Sequence, residues 1–63
     1  MTKAYLLPVD FEDEFCNPNN SKFDEARFMH FAETDGEVLS LQMLEEQMNK
    51  DWINSDNYYI IFR

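Results

Sequence analysis

Glycine, cysteine and histidine each occur once in the 63 residues, and each scarcity removes a class of chemistry. With Gly36 as the only glycine, no glycine-rich loop can bring several backbone N–H groups against a phosphate. With Cys16 alone there is no intramolecular disulfide, and with His30 alone there is no Cys/His zinc cluster. Basic residues are sparse as well. Lys3, Lys22, Arg27, Lys50 and Arg63 stand singly along the chain, so no basic stripe is available to neutralise the phosphates of a nucleic acid. No apolar run approaches the roughly 18 residues of a membrane span, and the first residues lack the charged-then-apolar order of a signal peptide. The expectation is a cytoplasmic chain with no cofactor, no metal, and neither membrane nor nucleic acid as a direct partner.

What the chain has instead is acid and aromatic surface. Thirteen Asp and Glu give a formal charge of -8, and six Phe, three Tyr and one Trp supply ten rings. Such a field repels nucleic acid and attracts basic protein surfaces. The rings argue for a folded core rather than a disordered acidic tail. One domain over 1-63 is expected, too short to stand on a large core, so that close packing or a partner must make up the stability.

The order of elements reads strand, helix, strand, helix, strand. Ala4 to Val9 is a short apolar strand that Pro8 consigns to a sheet edge or a strand end. Asp10 to Asn20 is a loop. Ser21, with Asp24 three positions on, predicts a helix from Lys22 to Thr34, with Phe23, Ala26, Met29 and Ala32 as its face and Gly36 as a left-handed stop. A hairpin turning at Asp35-Gly36 is the rival over residues 26-39. Val38 and Leu39 form a brief strand. Ser40 caps an amphipathic helix from Leu41 to Lys50 with Leu41, Leu44 and Met48 on one face. Tyr58 to Phe62 reads as a strand buried on both faces. The fold class is α+β: a three-stranded sheet with two helices packed on one face, in β-α-β-α-β order.

Catalytic constellations are lacking. A Cys16/His30 pair has no third orienting group or oxyanion turn. Asp10, Glu12, Asp13 and Glu14 have neither the cleft of a glycosidase pair nor the oxygen spacing of a calcium loop. No enzyme is expected, and Cys16 and His30 read as packing or surface residues.

Carboxylates recur at almost every element boundary. On a helix, side chains three or four apart lie roughly 5–6 Å from one another, comparable with phosphates on a strand that rises about 3.4 Å per nucleotide. An acidic array can therefore imitate a nucleic-acid backbone. In size, acidity and aromatic content the chain resembles the small inhibitors that phages and mobile elements encode, anti-CRISPR proteins and uracil-DNA glycosylase inhibitors among them. Its C-terminal half, GEVLSLQMLEEQMNKDWINSDNYYIIF, is similar in rhythm to short proteins of such elements. The resemblance implies a non-enzymatic inhibitor that occupies a basic nucleic-acid site, on a nucleic-acid-processing enzyme for example. The residues expected to bind are Asp10, Glu12, Asp13 and Glu14 in the first loop and Glu33, Asp35 and Glu37 around the glycine, with Phe11 and Trp52 as apolar anchors. The competing expectation is a small structural domain, acidic for solubility, that forms a homo-oligomer through the exposed face of Tyr58 to Phe62.

Overall fold

The computed structural model describes residues 1–63. In chain order it contains strand β1 (Lys3–Pro8), one turn of 3-10 helix (Glu14–Cys16), helix α1 (Glu25–Thr34), strand β2 (Glu37–Ser40), helix α2 (Leu41–Asn49) and strand β3 (Tyr58–Phe62). The strands form one antiparallel sheet in the order β2-β1-β3. The α+β class and the β-α-β-α-β order are those expected, and α1 rather than a hairpin occupies the middle of the chain. No helix is long and apolar enough to cross a membrane.

β1 is the central strand, not an edge, and the register shows why Pro8 does not prevent this. Pro8 sits opposite Tyr58 at the end of the β1–β3 ladder. The Val9 N–H donates to Asn57 at 3.0 Å, so by antiparallel alternation the missing donor of Pro8 faces the β2 side. There the ladder already ends at Leu6 and Glu37.

Alternation along β1 also decides how the sheet is covered. Leu7 joins Cys16, Phe28, Ala32 and Ile61 in one buried cluster, whereas Ala4 and Leu6 join Leu44 and Ile53 in another. Phe28 and Ala32 belong to α1 and Leu44 to α2, so the helices pack on opposite faces rather than on one face as expected. The physical reason is that β1 is apolar on both sides. Two helices on one face would leave either Leu7 or the Ala4/Leu6 pair in water. β3 also departs from expectation, since only Ile61 among its five residues is buried.

Local chemistry sets the helix ends. Asp24, not Ser21, caps α1, accepting from the Arg27 N–H at 3.2 Å. The preceding residues are held in turns: Asn20 Oδ1 accepts from the Lys22 N–H, and the Asn20 carbonyl accepts from the Phe23 N–H. Phe28 and Ala32, four apart, form the buried stripe, while Ala26 is exposed. A period of three drifts around a 3.6-residue turn, so the expected face could not stay on one side. Ser40 caps α2 as expected, accepting from the Met43 N–H at 3.2 Å. Only Leu44 of its face is buried, and Leu41 and Met48 remain about half exposed. α2 closes with the Trp52 N–H on the Gln47 carbonyl and the Asp51 N–H on the Met48 carbonyl, both at 3.0 Å, with Asp51 at φ 58°. That pair is the Schellman closure.

Gly36 is required for space, because its φ is not positive. A Cβ there would lie 2.1 Å from the Leu6 carbonyl oxygen and 2.9 Å from a Leu7 methyl. α1 thus hands over to β2 with its backbone pressed against the central strand.

Candidate functional site

Register and helix direction give the molecule two chemically different ends. Lys3 pairs with both Ser40 and Arg63 at one end of the sheet, where β1 begins. Glu25, the first residue of α1, binds Arg63 there, with Glu25 Oε2 accepting from the guanidinium at 2.8 Å. At the other end β1 finishes at Pro8, opposite Tyr58, and β2 begins at Glu37, opposite Leu6. α1 therefore runs from the first end to the second. α2 does the same on the opposite face, leaving Ser40 beside Lys3 and returning the chain to Tyr58 beside Pro8.

The cations follow this division. Lys3, Lys22 and Arg63 lie toward the end where α1 begins, and Arg27, in its first turn, lays its guanidinium along the helix, 5.0 Å from the centre of the Phe15 ring and 5.8 Å from that of Phe31. Arg27 Nε donates to Asp13 at 2.8 Å, Lys22 stands 3.7 Å from Glu14, and Arg63 pairs with Glu25. The far end holds Asp10, Glu33, Asp35 and Glu37, all exposed and none in an ion pair, with exposed Glu12 in the loop leading from it. Phe11 packs on Phe31 with ring centroids 5.3 Å apart, which ties the start of the first loop to the half of α1 that carries Glu33. Both helices direct their C-terminal, negative dipole ends the same way, and the last turn of α1 contains no basic residue. Lys50 is the one cation toward this end. It belongs to the α2 face, 4.8 Å from the centre of the Trp52 ring.

The nine residues expected to bind thus divide. Asp10, Glu12, Glu33, Asp35 and Glu37 are in no ion pair, although Asp35 accepts from the Thr34 hydroxyl at 3.4 Å. Asp13 and Glu14 are committed to Arg27 and Lys22, and Asp13 also caps the 3-10 turn by accepting from the Phe15 N–H at 2.9 Å. Phe11 is half-buried against the α1 core. Trp52 is 62% exposed. The Asp51, Asn54 and Asn57 carboxyl and amide groups knit the loop behind it through bonds of 2.7–3.2 Å. The five cations read from the sequence as scattered single charges, and their pairing with Asp13, Glu14 and Glu25 was not expected. Their spacing was the available signal, since no Lys or Arg occurs in 4–21 or in 28–49.

Cys16 is buried and its thiol pKa is raised, chiefly by burial and then by the Asp13 carboxylate, which disfavours the nucleophilic thiolate. His30 is exposed, edge-on to Phe31. No three or more His, Cys, Asp or Glu side chains gather closely enough to hold a metal ion. A cleft of about 250 Å³ lies beside β3, lined by Pro18, Asn19, Ser55, Tyr58, Tyr59 and Ile60, and no carboxylate borders it.

Comparison with protein-family models, with curated proteins and with solved structures finds no match for this chain. The likeness to small acidic inhibitors accordingly rests on size, charge and ring content.

Proposed function

We propose that this chain is a non-enzymatic protein-binding domain whose acidic end enters a basic, nucleic-acid-binding surface of another protein in place of phosphates. One observation carries the reading: Asp10, Glu33, Asp35 and Glu37, none in an ion pair, share one end of the molecule with both helix C-termini, while Lys3, Lys22 and Arg63 lie toward the other and Arg27 is paired with Asp13. Placing acids at a helix C-terminus opposes stability by roughly 0.3–1 kcal/mol per charge. A surface selected for solubility alone has no need to accept that cost in one place.

Immobilised protein should retain basic nucleic-acid-binding proteins from a cell extract and release them on addition of duplex DNA or moderate salt. Joint reversal of Glu33, Asp35 and Glu37 to Lys should abolish that retention. The milder pair Glu33→Gln and Asp35→Asn should weaken retention while leaving the melting temperature equal or higher. Retention that persists after the reversal, or that DNA cannot displace, would overturn the reading.

A further inference from the structure

The sheet has two free edges, and they differ in kind. β2 is four residues long, opens on Glu37 and passes at Ser40 directly into α2. Shortness and charge are common devices that keep an edge from pairing. β3 carries neither. Tyr58 to Phe62 are five residues without charge or proline, in a chain that is 29% charged.

Register determines which backbone groups that edge offers. Lys3 and Arg63 exchange two N–H···O=C bonds, at 2.8 and 3.0 Å. Antiparallel alternation then turns Tyr59 and Ile61 toward β1, opposite Leu7 and Tyr5, and turns the polar groups of Tyr58, Ile60 and Phe62 outward. Two of these outward groups are engaged: the Tyr58 N–H donates to the Asn54 carbonyl at 3.0 Å, and the Phe62 carbonyl accepts from Arg63. The N–H groups of Ile60 and Phe62 and the carbonyls of Tyr58 and Ile60 stay open.

The geometry points to a second copy of this chain as the occupant, with β3 paired antiparallel to β3 about a two-fold axis through Ile60. In that register the two Ile60 residues exchange both of their bonds, and each Phe62 N–H meets the Tyr58 carbonyl opposite. All open groups are used. The remaining facing pair, Tyr58 N–H and Phe62 carbonyl, is the pair already satisfied within each copy. Axes through Tyr59 or Ile61 would instead set an engaged group against an open one.

Charge and shape agree with the same register. Antiparallel pairing lays the acidic end of each copy beside the cation-bearing end of the other. Arg63 falls opposite Asn57 of the other copy, next to Asp56, an exposed carboxylate without an ion pair. Phe62, 48% exposed, lands across from Tyr58, which forms one wall of the cleft beside β3. The result is a continuous six-stranded sheet. This inference does not rest on the acidic end as a binding site, and the capture experiment above is independent of it.

Chemical synthesis of the chain with an N-methyl group on the Ile60 nitrogen provides the test, because that nitrogen points away from β1 and the monomer loses no ladder bond. Sedimentation equilibrium up to about 1 mM should show a reversible monomer–dimer system, weakened at least about tenfold by the methyl group. The thermal melt of the dilute methylated chain should match that of the unmodified chain. Amide exchange at Ile60 and Phe62, and not at Tyr59 or Ile61, should slow as concentration rises. A chain that stays monomeric at about 1 mM would overturn the inference. So would a dimer indifferent to the methyl group, or one lost on Leu41→Lys and Met48→Lys instead, or an edge that takes up an unrelated extended peptide and not its own copy.

Discussion

The two faces of the sheet are filled by the same means to very different depths. On the α1 face, Phe28 and Ala32 settle onto Leu7 and Ile61, Cys16 closes the side, and Phe11, Phe23 and Phe31 ring the cluster. On the α2 face, Leu44 and Ile53 meet Ala4 and Leu6, while Leu41, Met43, Met48 and Trp52 stay 45–62% exposed. Each face has one helix of similar length. The difference comes from the loops. The first loop lays its own rings along α1, whereas the segment after α2 contributes Ile53 and leaves its tryptophan outside.

The largest effect should come from the deeper face. Phe28 is fully buried, and Phe28→Ala should cost about 3–5 kcal/mol, enough to unfold most of the population of so small a domain. Far-UV circular dichroism at room temperature reads this directly. Leu44→Ala empties the thinner face and should cost about 2–3 kcal/mol, toward the low end for such truncations because the site lies near solvent and can collapse. Urea titration would show it as a lower midpoint. Equal losses at the two positions would mean that the faces are energetically alike and that depth of burial misleads here.

Changing the backbone at the end of α2 should act in the opposite sense. Asp51 holds a positive φ of 58°, a conformation that costs a non-glycine residue energy and glycine almost none. Asp51→Gly should therefore stabilise by about 0.5–1 kcal/mol, offset in part by loss of the Asn54 Nδ2 bond to Asp51 at 3.1 Å. A small rise in melting temperature is the expected outcome, and a fall would show that the side-chain bond outweighs the strain.

The smallest effect concerns pH. The Arg63 guanidinium, hydrogen-bonded to Glu25, holds that carboxyl below its ordinary range, with desolvation opposing. Because the folded value lies below the unfolded one, the contribution is present above the ordinary carboxylate range and is lost as pH falls through the lowered value. Both groups are exposed, so the effect is small. Glu25→Gln should lower stability slightly at neutral pH and leave it unchanged in acid, so that the acid limb of stability against pH becomes flatter. An unaltered acid limb would show that the pair contributes nothing.

Legibility varied with how local the deciding interaction was. Ser40 as a cap, the α2 span, the first loop and the terminal strand were all readable, because each depends on neighbours within a few residues. Ser21 failed as the start of α1 because Asp24 is drawn to the Phe15 carbonyl, its N–H donating at 2.7 Å across nine positions. At the acidic end, the carboxylates were visible as residues. The ion pairs of Asp13 and Glu14 were not, since Arg27 and Lys22 reach them only once the first loop lies along α1.

By itself the sequence determined that this chain makes strands and helices in alternation, that it carries an excess of negative charge, and that it lacks the residues for disulfide, zinc-cluster or phosphate-loop chemistry. Composition and short-range patterning suffice for those. Only the tertiary structure decided that Pro8 lies on a central strand, that the helices take opposite faces, that Gly36 is needed for clearance, and that Asp10, Glu33, Asp35 and Glu37 gather at one end without ion pairs. Each of these depends on strand order and register, contacts between residues far apart in the chain whose free energy no local window contains.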